Sequence, residues 1–450
     1  MPNFGTDFKW GITTSAVQTE GSFNIDGKSL NIWDTFSFKK GNIRGNENHF
    51  KSCDFYNRYK EDLLAIKLLN FNSFRFSISW SRILPQLNGY PNQKGIDFYN
   101  KMIDFALELG IEPIATLYHW DLPQYMDDIG GWTNRDVVGR MNDFAEIAVK
   151  SFGDRVKTWI PLNEPLVFTT AGYLLGLHAP GKKGLANYLP AVYNAIRCNA
   201  ETSLCIKSMD ASFKVGSSFS LTPAIAHTNK PKDVKAQKKI NTALNQIFLD
   251  PYLGFDIPTK ELPLLKKIDK YRKPEDIISF NADFIGVQNY TQEVVKHKWY
   301  KPPLYADIVL AKERNVAVSQ MNWEINPNAI SLVFNQLKKY PNLPDIYITE
   351  CGVAVPNEQR IANKVYDIER INYYKALFKN IHNAIQNDIP VKGIYLWTLN
   401  DNFEWAEGYF PKFGISEIDP ISQRRILKHS AQWLQEFLVN QMENSAVSST

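Results

Sequence analysis

Eight short runs of apolar, β-branched or aromatic residues recur along the chain, at 9–16, 72–80, 112–120, 158–164, 214–221, 283–290, 345–350 and 393–401. The stretches between them carry the periodicity of amphipathic helices. Strands that alternate with helices pair in parallel, because each helix returns the chain to the same edge of the sheet. Eight alternations predict an α/β chain folded as a single (β/α)8 TIM barrel. A doubly wound open sheet is the alternative, but it usually has fewer strands and often a glycine-rich phosphate loop. No GxGxxG or GxxxxGKS/T pattern follows any of the eight runs.

The helix expected over 133–152 shows the logic. Thr133 and Asp136 have capping-box spacing, and Val137, Met141, Phe144, Ala145 and Ala148 recur near the helical period. Gly153 stands where a helix stop is expected. Residues 1–440 contain no low-complexity linker and read as one catalytic domain. Residues 441–450, ending ENSAVSST, are small and polar and are expected to fray. Hydrophobic residues make up 44% of the chain, enough for a large core around one barrel.

Charge and cysteine content exclude several classes. The 51 basic and 47 acidic residues leave a net charge of only +4, which gives no reason to expect a nucleic-acid partner. Four cysteines without a CxxC pair form no disulfide framework. The first residues lack a basic segment followed by an apolar one, and no apolar run approaches the ~18 residues needed to span a membrane. A cytoplasmic protein is expected, with no membrane partner. Seven scattered histidines have no metal-ligand spacing, so neither a metal nor another cofactor is expected. Oligomeric state is open.

The runs end in unusual residues. The second contains Arg75. The third ends in His119 and Trp120, the fourth in Asn163 and Glu164, the sixth in Tyr290, the seventh in Glu350 and the eighth in Trp397. In a barrel these ends gather around one pocket. A glutamate closing an apolar run is costly unless it is paired or functional. An ion pair with Arg75 would satisfy one of them, but two glutamates at the ends of strands four and seven suit glycoside hydrolysis. There one carboxyl is protonated to assist the leaving oxygen and the other is ionised to attack the anomeric carbon. Carboxyls about 5 Å apart would retain configuration, and about 6.5–9.5 Å would invert it. Trp120, Trp323, Trp397, Trp405 and Phe413, on or near strand ends, offer flat faces for the C–H surfaces of sugars. Trp80 and Trp159 read as core.

The motifs FKWGITTSAVQTEG, FRFSISWSRI, TLYHWDLPQ, TWIPLNEP, DFIGVQNYT, YITECG and YLWTLNDNFEWAEGYFPKFGI occur in that order. Together they resemble glycoside hydrolase family 1, the β-glucosidase and β-galactosidase group, over nearly the whole chain. The resemblance implies a retaining β-glycosidase, in first place a β-glucosidase, acting on small-molecule β-glycosides or oligosaccharides through a covalent glycosyl-enzyme intermediate. It implies Glu164 as acid/base and Glu350 as nucleophile, with Arg75 and Tyr290 holding the nucleophile ionised. Asn163 would hold the 2-hydroxyl. Gln18, His119, Trp397, Glu404 and Trp405 would bind the glycone, and Trp323 would begin the aglycone side. The carboxylate at Glu404 would repel a 6-phosphate, which favours a neutral sugar. Three positions depart from the family's pattern. Cys351 stands where Asn is usual, Gln288-Asn289-Tyr290 replaces Asn-Tyr-Tyr, and Leu166 replaces a Trp, removing a flat surface from the aglycone side. A thiol at Cys351 reads either as a buried apolar filler or as a group reachable from the pocket.

Overall fold

The computed structural model describes residues 2–447 apart from 88 and 363. All eight expected strands form: β1 (Lys9–Thr13), β2 (Ser73–Ser77), β3 (Glu112–Tyr118), β4 (Thr158–Leu162), β5 (Lys214–Ser220), β6 (Phe284–Gln288), β7 (Asp345–Cys351) and β8 (Val391–Leu396). Each pairs in parallel with its neighbours in chain order, and β1 pairs β8, so the sheet closes into a barrel. One long helix follows each strand: α1 (Phe55–Leu68), α2 (Gln93–Glu108), α3 (Val137–Phe152), α4 (Leu185–Met209), α5 (Pro231–Asn245), α6 (Ala329–Leu337), α7 (Ile368–Ile385) and α8 (His429–Val447). The last helix runs on into the stretch read as a tail; residues 448–450 of that stretch lie outside the described residues.

Several strands are shorter than their apolar runs because the run continues past the ladder into the loop that builds the site. Trp80 begins a short helix, Trp80–Ile83, rather than ending β2. As expected of a core residue it is buried, its ring stacked on Phe144 of α3 at 5.1 Å. Trp159 is also fully buried. Inside the barrel, Ile114, Ile160, Phe284, Tyr347 and Tyr395 form one apolar cluster. Gly11 makes room for it, since a Cβ there would sit 2.1 Å from the Tyr395 ring.

Helix α3 buries the expected stripe, with Val137, Met141, Phe144, Ala145 and Ala148 facing the barrel. Val137, Met141 and Phe144 each contribute roughly 1.5–3 kcal/mol when fully buried, and the alanine methyls about 0.8 kcal/mol. The expected capping box does not form. Thr133 belongs to a separate turn, Gly131–Thr133, and its hydroxyl donates to the Gly130 carbonyl at 2.7 Å. Trp132 in that turn is buried with its Nε1 donating to the Tyr118 hydroxyl at 3.0 Å, and this anchor holds the turn apart from the helix. Gly153 ends α3 with right-handed backbone. It is required for space, because a Cβ would meet the Val149 carbonyl oxygen at 2.6 Å and Phe213 at 2.9 Å.

Candidate active site

Glu350 lies at the mouth end of β7, where the strand is irregular. Its register against β6 and β8 shifts between Ile348 and Glu350–Cys351. Tyr347 packs inside the barrel, so strict alternation would turn Glu350 outward. The irregularity inverts the outcome. Glu350 faces the pocket, whereas Cys351 is turned away, fully buried beside Tyr373 and Tyr374 of α7. Bulges that re-aim a side chain recur next to active sites. The pocket-facing reading of Cys351 is therefore overturned, and burial, then the Glu350 charge, push its thiol far above the usual range.

The Glu350 carboxylate is held from two sides. Arg75 Nη1 on β2 donates to Oε1 at 2.6 Å and the Tyr290 hydroxyl donates to Oε2 at 2.9 Å. Arg75 is fully buried, and its other donors reach Thr116 on β3, Thr13 on β1 and Asn163 after β4, so four strands orient one guanidinium. Asn163 Oδ1 accepts from Arg75 Nη2 at 2.6 Å and from Gln288 Nε2 at 2.7 Å. The longer side chain of Gln288 thus keeps an amide in contact with the network. Asn163 Nδ2 lies 3.0 Å from His119 Nε2. Burial, then the Arg75 charge, hold His119 well below its usual range, so it is neutral and accepts from that amide.

Glu164 follows β4 in left-handed backbone, φ +46°, and opens the short helix Pro165–Thr169. Its N–H donates to the Ser218 carbonyl at 2.9 Å. Trp120, φ +75°, and Trp405, φ +52°, share that rarely populated conformation. Such residues cost about 1–3 kcal/mol each and persist where surroundings over-determine them. Here Trp120 Nε1 donates to the Asn163 carbonyl at 2.9 Å and its ring lies 4.5 Å from that of Trp405.

The two carboxyls differ in environment. Burial, then the nearby Glu350 charge, push Glu164 well above the carboxylate range. Burial also raises Glu350, but Arg75, Tyr290 and Gln288 oppose it by bonding the ionised form. Within the pair, the proton resides on Glu164 and the negative charge on Glu350.

These groups line one cavity of about 500 Å³. Of the residues singled out from sequence, Gln18, His119, Trp120, Glu164, Tyr290, Trp323, Glu350, Trp397, Glu404, Trp405 and Phe413 line it directly. Arg75 and Asn163 lie just behind, bonded to its wall. Gln18 Nε2 donates to the Phe403 carbonyl at 2.9 Å and to Glu404 Oε2 at 3.4 Å. Burial, then the Glu350 charge, push Glu404 up to about 8. Phe413 backs Trp397, with Tyr290 and Trp323 packed beside them.

The cavity also takes Val167, Leu177, His178, Leu244, Ile308 and Met321, which sequence reasoning missed. They come from loops, from the short helix Pro165–Thr169, from α5 and from a short strand, Ala306–Ile308, all beyond the barrel strand ends, and no pattern in the chain marks them. The departure at Leu166 has a structural answer: its side chain packs against the main core.

The model of the family described as glycosyl hydrolase family 1 matches residues 1–443. Beta-glucosidase A of Thermotoga maritima is 38% identical over 98% of this chain and 98% of its own length. A 6-phospho-beta-glucosidase of Bacillus subtilis is 34% identical over 96% of this chain and 97% of its own length. The solved structure of a family 1 β-glucosidase from Thermotoga maritima superposes with a TM-score of 0.94 at 37% identity, covering 98% of this chain and 99% of that one.

Proposed function

The chain belongs to glycosyl hydrolase family 1, whose members are retaining glycosidases, and from this premise we propose that it hydrolyses terminal β-D-glucosides with Glu164 as acid/base and Glu350 as nucleophile. The observation that carries the reading is the opposed environment of the two carboxyls, one protonated and one held ionised by Arg75 and Tyr290.

In the first step Glu164 gives its proton to the glycosidic oxygen, the C1–O bond breaks, and a Glu350 oxygen attacks C1 from the opposite face to form an α-linked ester. Burial still raises Glu164, but losing the Glu350 charge removes the repulsion that added to it, which readies Glu164 as a base. In the second step Glu164 takes a proton from water, the water oxygen attacks C1, and Glu350 leaves as carboxylate. Two inversions return the β configuration. Asn163 is assigned to the 2-hydroxyl, Gln18, His119 and Glu404 to further glycone hydroxyls, Trp397 and Trp405 to the sugar face, and Trp323 to the start of the aglycone side.

The substrate is a neutral sugar. Glu404 enters no ion pair among the described residues, and burial, then the Glu350 charge, raise its pKa. A phosphate there would face a carboxyl and an amide. We also place the protein in the cytoplasm, a setting supported by four unpaired cysteines. No helix among the described residues is long and apolar enough to cross a membrane.

The test is NMR observation of the first-formed product from nitrophenyl β-glucoside, together with Glu350→Gly. β-Glucose should appear first. The variant should be inactive, and added azide should restore turnover as the α-glucosyl azide. α-Glucose as first product, or near-native activity in Glu350→Gly, would refute the mechanism.

A further inference from the structure

The cavity changes character from floor to mouth. Gln18, His119 and Glu350 at the floor are buried. Toward solvent the wall is made by Val167, Leu177, Leu244, Ile308, Met321 and Trp323. Leu177 is 61% exposed and Ile308 37% exposed, so apolar surface is left open to water at the rim. These side chains come from four places: the short helix Pro165–Thr169 and the loop beyond it, helix α5, the short strand Ala306–Ile308 and the loop that follows that strand.

Polar groups near this wall are largely engaged with the protein. The Thr291 hydroxyl donates to the Glu324 carbonyl at 3.0 Å, and Asn42 Nδ2 donates to the Phe36 carbonyl at 3.0 Å. Glu407 pairs with Arg44 at 3.2 Å, and Ser220 bonds the Glu164 carboxyl. Thr222, Glu293 and His178 stand against the six apolar side chains. Burial holds His178 down at about 4, so it brings no charge.

A sugar in the aglycone position would carry several hydroxyls into this region, each losing water and needing a partner. An apolar aglycone would instead bury surface that is otherwise wet on both sides. We infer that the outer cavity is a binding site for an extended apolar aglycone, so that the preferred substrates are β-glucosides of long aliphatic or similarly apolar alcohols rather than cello-oligosaccharides. This rests on the β-glucosidase reading and specifies the substrate class of that same site.

The test uses methyl, butyl, hexyl and octyl β-D-glucosides below the micellar concentration, with cellobiose and nitrophenyl β-glucoside beside them. The n-alkanols have nearly equal acidity, so changes in kcat/KM along the series report binding of the chain rather than leaving-group chemistry. The expected rise is up to about fourfold per methylene that the wall covers, with octyl glucoside about tenfold or more above cellobiose. Leu177→Asn and Leu244→Gln should each lower the octyl-to-methyl ratio several-fold; Leu177 is solvent-facing, so its replacement leaves the fold little disturbed. A flat alkyl series, or cellobiose favoured over octyl glucoside, overturns the inference while nitrophenyl glucoside hydrolysis still upholds the parent reading. Failure on every glucoside, nitrophenyl included, refutes both.

Discussion

Replacing Tyr290 with Phe removes one hydrogen-bond donor from Glu350 and leaves the ring. The lost contact is the 2.9 Å bond to Oε2, while Arg75 keeps its 2.6 Å bond to Oε1. A hydrogen bond to a charged acceptor is worth about 1.5–3 kcal/mol, and one to a neutral acceptor about 1 kcal/mol. The ionised form of Glu350 therefore loses about 0.5–2 kcal/mol more than the protonated form, a range centred on about one pKa unit. The sign follows from the role. Glu350 works as carboxylate, losing the donor raises its pKa, and activity fails at higher pH on the acid side. The basic side is set by Glu164, whose elevation comes first from burial and then from the Glu350 charge; both persist in the variant. The assay is the pH dependence of kcat/KM on nitrophenyl β-glucoside, which reports free-enzyme ionisations, with circular dichroism to verify folding. The acid limb should move up by about one unit and the basic limb should stay in place. An unmoved or lowered acid limb, or an equal shift of both limbs, would refute the reasoning.

Glu164→Ala should slow alkyl glucosides by about 10²–10⁴-fold and dinitrophenyl glucoside far less, because only poor leaving groups need the proton; azide should then give the β-azide, and equal losses on both substrates would count against the role. Glu404→Ala should cost β-glucoside about 10–100-fold more in kcat/KM than 6-deoxy-β-glucoside, which lacks only the 6-hydroxyl, and a uniform loss would move Glu404 away from that contact. Treatment of folded protein with excess maleimide should leave Cys351 unmodified by mass spectrometry, since it is 0% exposed, while half-buried Cys205 reacts first; a Cys351 adduct in folded protein would contradict its orientation.

Much of the scaffold was legible because it rests on local periodicity. Each apolar run became a barrel strand, and the 3.6-residue stripe of 133–152 became the buried face of α3. Glu164, Glu350, Arg75 and Tyr290 stood out as polar residues in or at the ends of such runs, where a closed barrel brings strand ends together. The seven motifs added Gln18 and Glu404, which no periodicity marks and which the structure places in the wall of the cavity.

Other features depended on closure of the fold. The Thr133–Asp136 spacing is a good local capping signal, but burial of Trp132 against Tyr118 overrode it. The direction of Cys351 depends on the register shift in β7, and a pattern of alternating residues cannot show where one strand slips against two partners at once. The outer wall joins Val167, Leu177, Leu244, Ile308 and Met321 from segments up to 154 residues apart. The proton distribution between Glu164 and Glu350 is likewise a tertiary property. It arises from which groups the barrel desolvates and which donors it aims at each carboxyl. Sequence periodicity records which face of an element is buried; what that face meets is decided only when distant segments share one low-dielectric space, where a contact of a few ångströms sets both charge and shape.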